Sequence, residues 1–305
     1  MTRRMAALPA ALLVAAVVLP IVLSDYRTGR LAAVGAYFIA ILGLDLLLGR
    51  GRQVSLGHGG FMALGAYTTM ILVARHGLRD VATIPVAACV AGAAGLVVAL
   101  PSLRLRGIYF ALATFGLAVS IPPLAQKFDG LTGGSTGIAF YGSSHETGSG
   151  GSVRLVGLSL SHTQWTYALT WAIAAALFPF AWWVARKRRP TTLLAVASAA
   201  YAGVAGSLVA IDLAFFSPNA IPLEVSLYLA AAATLGLYGS IWGALLGAFV
   251  VEYLGDLVGQ IPRVPASGPG PTTFVFGALL VAFVLARPLV ATISRRKLPW
   301  RGERS

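Results

Sequence analysis

Few residues of this sequence combine chemical capability with an apolar setting. They are Asp45, His58, Glu252 and Asp256, with Arg287 near the end of its own apolar stretch. Charges are costly in hydrocarbon and usually mark function or a specific partner. Glu252 and Asp256 stand four residues apart, on one face of a helix, where two carboxylates can relay a proton or cation or pair with an arginine. A denser concentration of polar groups lies in Arg52-Gln53-Val54-Ser55-Leu56-Gly57-His58-Gly59-Gly60. There amide, hydroxyl and imidazole groups sit beside flexible backbone. Irregular backbone at membrane depth is tolerated only where it is buried in protein or lines a cavity. Gln53, Ser55 and His58 are therefore candidate pathway residues; the competing reading is a capped helix start with His58 packed against a carbonyl.

Enzymatic chemistry has no support. The sequence holds no H-E-x-x-H and no G-x-S-x-G, and a single membrane histidine cannot build a histidine-based metal site. Gly133-Gly134-Ser135-Thr136-Gly137 lacks the lysine of a phosphate-binding loop, so any ATP must be hydrolysed by another polypeptide and no cofactor is expected. Cys89 is the single cysteine; it can form no internal disulfide and reads as a small buried apolar residue.

The elements that must position these groups are membrane helices. Hydrophobic residues make up 57% of the chain and charged ones 11%, against about 25% charged in soluble domains. A span needs about 20 apolar residues, which predicts an all-α polytopic membrane protein with about ten transmembrane helices. Their expected ranges are 5–23, 31–49, 54–74, 82–100, 107–126, 165–185, 191–211, 224–238, 241–259 and 272–290. The first imitates a signal peptide, but its apolar stretch is long and no A-x-A site follows. The third is broken by glycine and the eighth is short.

The net charge of +13 arises from basic clusters between spans, a pattern that orients membrane helices rather than one that binds nucleic acid. Sixteen of the 23 basic residues fall on one side of the predicted topology, among them Arg50, Arg52, Arg104, Arg106 and the tail at 291–305. Asp25, Asp80, Asp129, Glu146, Asp212 and Glu224 fall on the other. Both termini are thus expected in the cytoplasm. The Gly/Ser/Thr-rich segment 127–164 reads as an external loop without its own core, and the proline-rich 261–271 as a second external connection. Glycine pairs such as Gly203/Gly206 and Gly239/Gly243/Gly247 predict close helix packing. Leu64-Gly65-Ala66-Tyr67 and Leu246-Gly247-Ala248-Phe249 form a weak echo between halves.

Three stretches together resemble a known family. They are Gly51 to Tyr67 with its core Gln53-Val54-Ser55-Leu56-Gly57-His58-Gly59-Gly60-Phe61; Leu103 to Thr114 with Leu131-Thr132-Gly133-Gly134-Ser135-Thr136-Gly137-Ile138; and Gly236 to Ala248. They are similar to the LivM-type permease subunit of branched-chain amino-acid ABC importers, a group that includes urea and short-chain amide permeases. The resemblance runs from about residue 30 to 290. It implies a single permease domain over 1–305 in the bacterial inner membrane. The implied partners are a second homologous permease of LivH type, two cytoplasmic ATPase subunits, a periplasmic or lipid-anchored solute-binding protein and membrane lipid. Thr114 joins Gln53, Ser55 and His58 as an expected pathway residue, and Thr132, Gly133 and Gly134 are expected near the binding-protein docking site.

One segment departs from the family pattern. The cytoplasmic loop after the sixth span is reduced to Arg186, Lys187, Arg188, Arg189 and Pro190. A coupling helix of two or three turns needs about 7 to 11 residues, so the loop is too short to hold one. An uncoupled facilitator or an inactive remnant is therefore the competing reading.

Overall fold

The computed structural model describes residues 20, 23–51, 53–102, 108–140, 147–148, 152–155, 158–186, 190–235, 241–259 and 277–278. The expected spans 5–23 and 272–290, the 261–271 connection, Arg104, Arg106, Lys187 to Arg189, Arg287 and the tail at 291–305 lie outside them. The helices are α1 (Asp25–Leu46), α2 (His58–His76), α3 (Asp80–Ser102), α4 (Ile108–Lys127), the short α5 (Asp129–Thr132), α6 (His162–Arg186), α7 (Thr191–Leu213), α8 (Leu223–Leu235) and α9 (Ile241–Gly259). The chain divides into two compact units, Met1–Glu252 and Tyr253–Ser305. The described part of the second comprises the end of α9 and residues 277–278.

Five segments are long and apolar enough to cross a membrane: Asp25–Gly49, Asp80–Leu100, Tyr109–Lys127, His162–Val184 and Thr191–Leu213. Several boundaries differ from expectation. α1 begins six residues before 31, because Asp25 occupies its first turn, where a carboxylate favours the helix N-terminus. Its last residues pass into a π-turn, Leu47–Gly51. The third expected span begins at His58 rather than 54, since the Gly57 amide is held by Ser55 instead of continuing a helix. α2 is absent from the five segments because its ends are polar, but it is largely buried among other helices and needs no lipid-facing apolar surface. α8, at 13 residues, is shorter than the bilayer core.

α7 is the hub of the first unit. It packs against α1, α2 and α3, while its sequence neighbour α6 packs chiefly against α1. Backbone contact makes this possible. Gly206 of α7 lies against the Met62 carbonyl and Gly65 of α2 against the Gly203 backbone, so neither position has room for a Cβ. Where lipid provides no hydrophobic drive between helices, such small-residue approach supplies the van der Waals contact. Hydroxyls add to it: Thr69 Oγ1 bonds Ser207 Oγ at 2.5 Å, and Thr83 Oγ1 donates to Thr69 at 3.1 Å. Cys89, expected to be buried, is exposed on α3. An apolar residue on a peripheral helix can face lipid as readily as core, and sequence does not separate the two cases.

One end of the unit gathers the N-termini of α1 and α6 and the C-termini of α2, α4 and α7. Ser161 Oγ bonds Asp25 Oδ1 at 3.1 Å, His162 Nε2 meets the Ile211 carbonyl at 3.1 Å, and Arg75 Nε donates to the Leu131 carbonyl at 3.0 Å. The segment 127–164, expected to be a loop, is partly ordered at this end. β1 (Ile138–Ala139) pairs antiparallel with β5 (Phe215–Phe216), and β2 (Thr147–Gly148), β3 (Ser152–Leu155) and β4 (Leu158–Ser161) form an antiparallel sheet of three strands.

Candidate translocation site

The polar break at Gln53–Gly57 is non-helical backbone that, with the first residues of α2, ties four helices together. The Leu56 amide donates to Thr114 Oγ1 at 3.1 Å, and that hydroxyl donates to the Ala111 carbonyl at 2.9 Å, fixing the break to α4. Gly57 lies directly against the Thr114 carbonyl, an approach that any side chain would prevent. The next amide, Gly59 N–H, donates to Ser226 Oγ of α8 at 2.9 Å. His58 bridges inward: Nδ1 meets Ser55 Oγ at 3.4 Å and Nε2 meets Ser198 Oγ of α7 at 3.3 Å. Phe61 abuts its ring edge-on, with centroids 6.2 Å apart.

Gln53, Ser55, His58 and Thr114 are all buried, so the structure brings the four expected residues into one region. Ser55 and His58 are in direct contact, and Thr114 is joined to them through the Leu56–Gly57 backbone. Gln53 Oε1 is buried and has no hydrogen-bond partner among the described residues. A buried amide oxygen of this kind costs about 1–3 kcal/mol, which makes Gln53 the member of the set with spare capacity for a ligand or a partner chain.

Thr132, Gly133 and Gly134 form a tight turn at the end of α5. Thr132 Oγ1 donates to the Ala125 carbonyl at 2.5 Å and accepts from the Gly134 amide at 3.3 Å. Gly133 at φ +74° and Gly134 at φ +56° adopt left-handed backbone that glycine takes without strain. Thr132 is buried, whereas the neighbouring Leu131 and Phe128 are exposed. At the opposite end of the unit, α6 ends at Arg186 and Pro190 caps α7, accepting from the Leu194 amide at 3.2 Å. No coupling helix fits between Arg186 and Thr191, because four residues separate the two helices.

The acidic pair resolves unevenly. Glu252 is ion-paired with Arg30 of α1, whose guanidinium also donates to the Glu252 carbonyl at 2.7 Å and to Tyr26 Oη at 3.1 Å. Asp256 is exposed further along α9. Arg30, Ser198 and Ser226 were not identifiable as site residues from sequence. The signal for Arg30 was its place within the first turns of an apolar helix, matched by a lone glutamate in another; serines in an alanine-rich span carry no comparable signal.

The chain matches the family described as "Branched-chain amino acid transport system / permease component" over residues 27–189 and 185–284. The high-affinity branched-chain amino acid transport system permease protein LivM of Escherichia coli (strain K12) is 28% identical, with 91% of this chain and 72% of the relative covered. The protein of the same description from Salmonella typhimurium (strain LT2) is 30% identical with the same coverage. No solved structure matches the chain. Each alignment runs over 315 positions, more than the 305 residues of the chain, so residues of the relatives lie opposite gaps. The family match itself changes stretch at 185–189, where α6 gives way to α7. With that match extending through every helix from α1 to α9, this multi-pass membrane protein belongs to the branched-chain amino acid transport permease family.

Proposed function

We propose that the chain is the permease subunit of an ABC importer that carries branched-chain amino acids across the bacterial inner membrane. The observation that carries this reading is the family match running in order along the described helices, with the buried Gln53–Gly60 break inside it. In this reading two cytoplasmic ATPase subunits supply the energy, a second permease of LivH type completes the pathway, and a solute-binding protein delivers substrate outside. The residues assigned to the pathway are Gln53, Ser55, His58 and Thr114. Ten spans enclose them, with both termini cytoplasmic and the whole of 1–305 serving as one permease domain. The clustering of alternate helix ends supports that topology, since the C-termini of α1 and α6, each next to arginines in the sequence, then lie at the cytoplasmic end. The Thr132–Gly134 turn faces outside, where the binding protein docks.

The four-residue connection between α6 and α7 favours a second reading, in which this subunit does not engage an ATPase and its partner performs all coupling, or the subunit is uncoupled or inactive. A urea or short-chain amide permease is the alternative on substrate. One experiment separates these. The tagged chain is purified from its native membrane in mild detergent and the retained proteins are identified by mass spectrometry, alongside uptake of labelled leucine and urea with and without the gene. Recovery of an ATPase and a second permease with gene-dependent leucine uptake is expected. Gene-dependent uptake of urea alone reassigns the substrate, and recovery of no ATPase with no gene-dependent uptake refutes the importer reading.

A further inference from the structure

A cavity of about 550 Å³ runs along α1, α6 and α7, away from the Gln53–Gly60 break. Its depth is readable from these helices, because all three have an end at the level of Asp25. At that outer end stand Asp25, Thr163 and Asp212, while Ala33, Tyr37 and Thr170 line the part further in. Tyr37 lies twelve residues beyond Asp25 in α1, about 18 Å of helical rise. The wall thus changes from acidic to uncharged along its length. Between the two parts, about 7–8 Å inward from Asp25 along α1, lies the Arg30–Glu252 ion pair. Among the described residues, Glu252 is the one that brings α9 to this wall. Arg30 holds it twice, through the side-chain carboxylate and through the Glu252 carbonyl at 2.7 Å, with Tyr26 Oη as a third acceptor.

We propose that the Arg30–Glu252 pair is the gate of an external vestibule: closed, it separates an acidic outer chamber from an uncharged inner one, and its separation joins them. The first argument is position. Both partners line the cavity and they belong to different helices, so parting them displaces one wall from another rather than loosening a surface contact. The second is reversibility. The two side chains are 17% and 14% exposed, so water reaches both charges as they part; a pair sealed from water would leave each charge stranded. The remaining acceptor of the guanidinium, Tyr26 Oη, belongs to a residue that is 71% exposed and gives way without disturbing the core. Ionisable side chains at membrane depth characteristically pair with one another along solute paths. The acidic chamber lies at the end of the unit assigned above to the exterior. The inference rests on the permease reading and adds to it the point at which access from outside is controlled.

The test is the rate at which single cysteines react with a membrane-impermeant, cationic methanethiosulfonate in intact cells that carry the full chain with Cys89→Ser. Thr163→Cys reports on the outer chamber, and Ala33→Cys, three residues inward of Arg30, on the inner one. With the pair intact, Ala33→Cys is expected to react at least tenfold more slowly than Thr163→Cys. Adding Glu252→Gln is expected to accelerate Ala33→Cys at least fivefold and to leave Thr163→Cys within twofold. Removing a carboxylate lowers the local concentration of a cationic reagent, so this acceleration runs against the change in charge. Exchanging the partners, Arg30→Glu with Glu252→Arg, is expected to return Ala33→Cys to within twofold of its original rate. If Glu252→Gln does not reach the membrane, Arg30→Gln read with an anionic sulfonate reagent makes the same comparison with both charges reversed. Equal rates at the two cysteines in the paired protein, no labelling of Thr163→Cys from outside, no acceleration on neutralising the pair, or a fast rate after the exchange overturns the gate. These rates do not depend on transport. If the gate fails while gene-dependent leucine uptake stands, the permease reading survives; if uptake never depends on the gene, that reading fails whatever the labelling shows.

Discussion

Gly203→Ala tests the close packing of the hub helix quantitatively. A Cβ at this position falls 2.5 Å from Ala91 Cβ and 2.7 Å from the Ala87 carbonyl oxygen of α3. Carbon contacts are comfortable at about 3.5–4.0 Å, so α3 and α7 must part by about 1 Å to admit one methyl group. Such a gap forfeits about a quarter to a half of the dispersion well of each pair it separates, and overpacking of this kind costs about 1–3 kcal/mol. Alanine returns about 1 kcal/mol through its better helix propensity, which leaves a net loss of up to about 2 kcal/mol. At about 2–4 °C per kcal/mol, the midpoint should fall by up to about 8 °C. The assay is thermal unfolding in detergent followed through the six tryptophans. Gly116→Ala provides the opposite sign, because that helical glycine is exposed and a Cβ there meets nothing within 4 Å. It should be neutral or stabilising. If Gly203→Ala melts above the wild-type temperature, or gains as much as Gly116→Ala, the helices do not approach as described.

Thr114→Val, which removes the acceptor of the half-buried Leu56 amide, is expected to destabilise by about 1–3 kcal/mol, whereas Thr114→Ser should retain most of the stability in the same melt. Gln53→Leu and His58→Leu are expected to lower leucine uptake while leaving the amount of protein in the membrane unchanged; wild-type uptake from both would remove the break from the pathway. In a Cys89→Ser background, Thr136→Cys should react with a membrane-impermeant maleimide in intact cells, and Pro190→Cys only after permeabilisation. Both positions are exposed, so the reverse pattern would invert the proposed topology.

The existence of the helices was legible from apolar length alone, and 241–259 coincides with α9. Which helix lies at the centre was not. In a bilayer the lipid-facing and protein-facing sides of a helix are both apolar, so α7 and the more peripheral α3 show the same hydrophobicity by eye; only the run of small residues through Ala199, Gly203 and Gly206 marks the hub. The polar break was visible at Gln53–Gly60, but its partners Thr114, Ser198 and Ser226 come from three other helices, and single hydroxyls carry no positional signal. The Arg30–Glu252 pair joins residues more than two hundred positions apart, beyond the reach of any local pattern. The strands within 127–164 escaped because each is only two to four residues long, too short for alternation to stand out.

The pairing of Ile138–Ala139 with Phe215–Phe216 makes a mechanical connection from the segment after α4 to the end of the hub helix. Phe216 is itself buried and meets the Tyr67 ring edge-on, with centroids 4.9 Å apart, so this anchorage extends into α2. A load applied to the segment is therefore delivered to a rigid rod that touches three neighbours along its length. The pairing therefore couples displacement of the segment to the end of α7. At the far end of that rod stands Pro190, whose carbonyl accepts from the Leu194 amide and closes the first turn of α7.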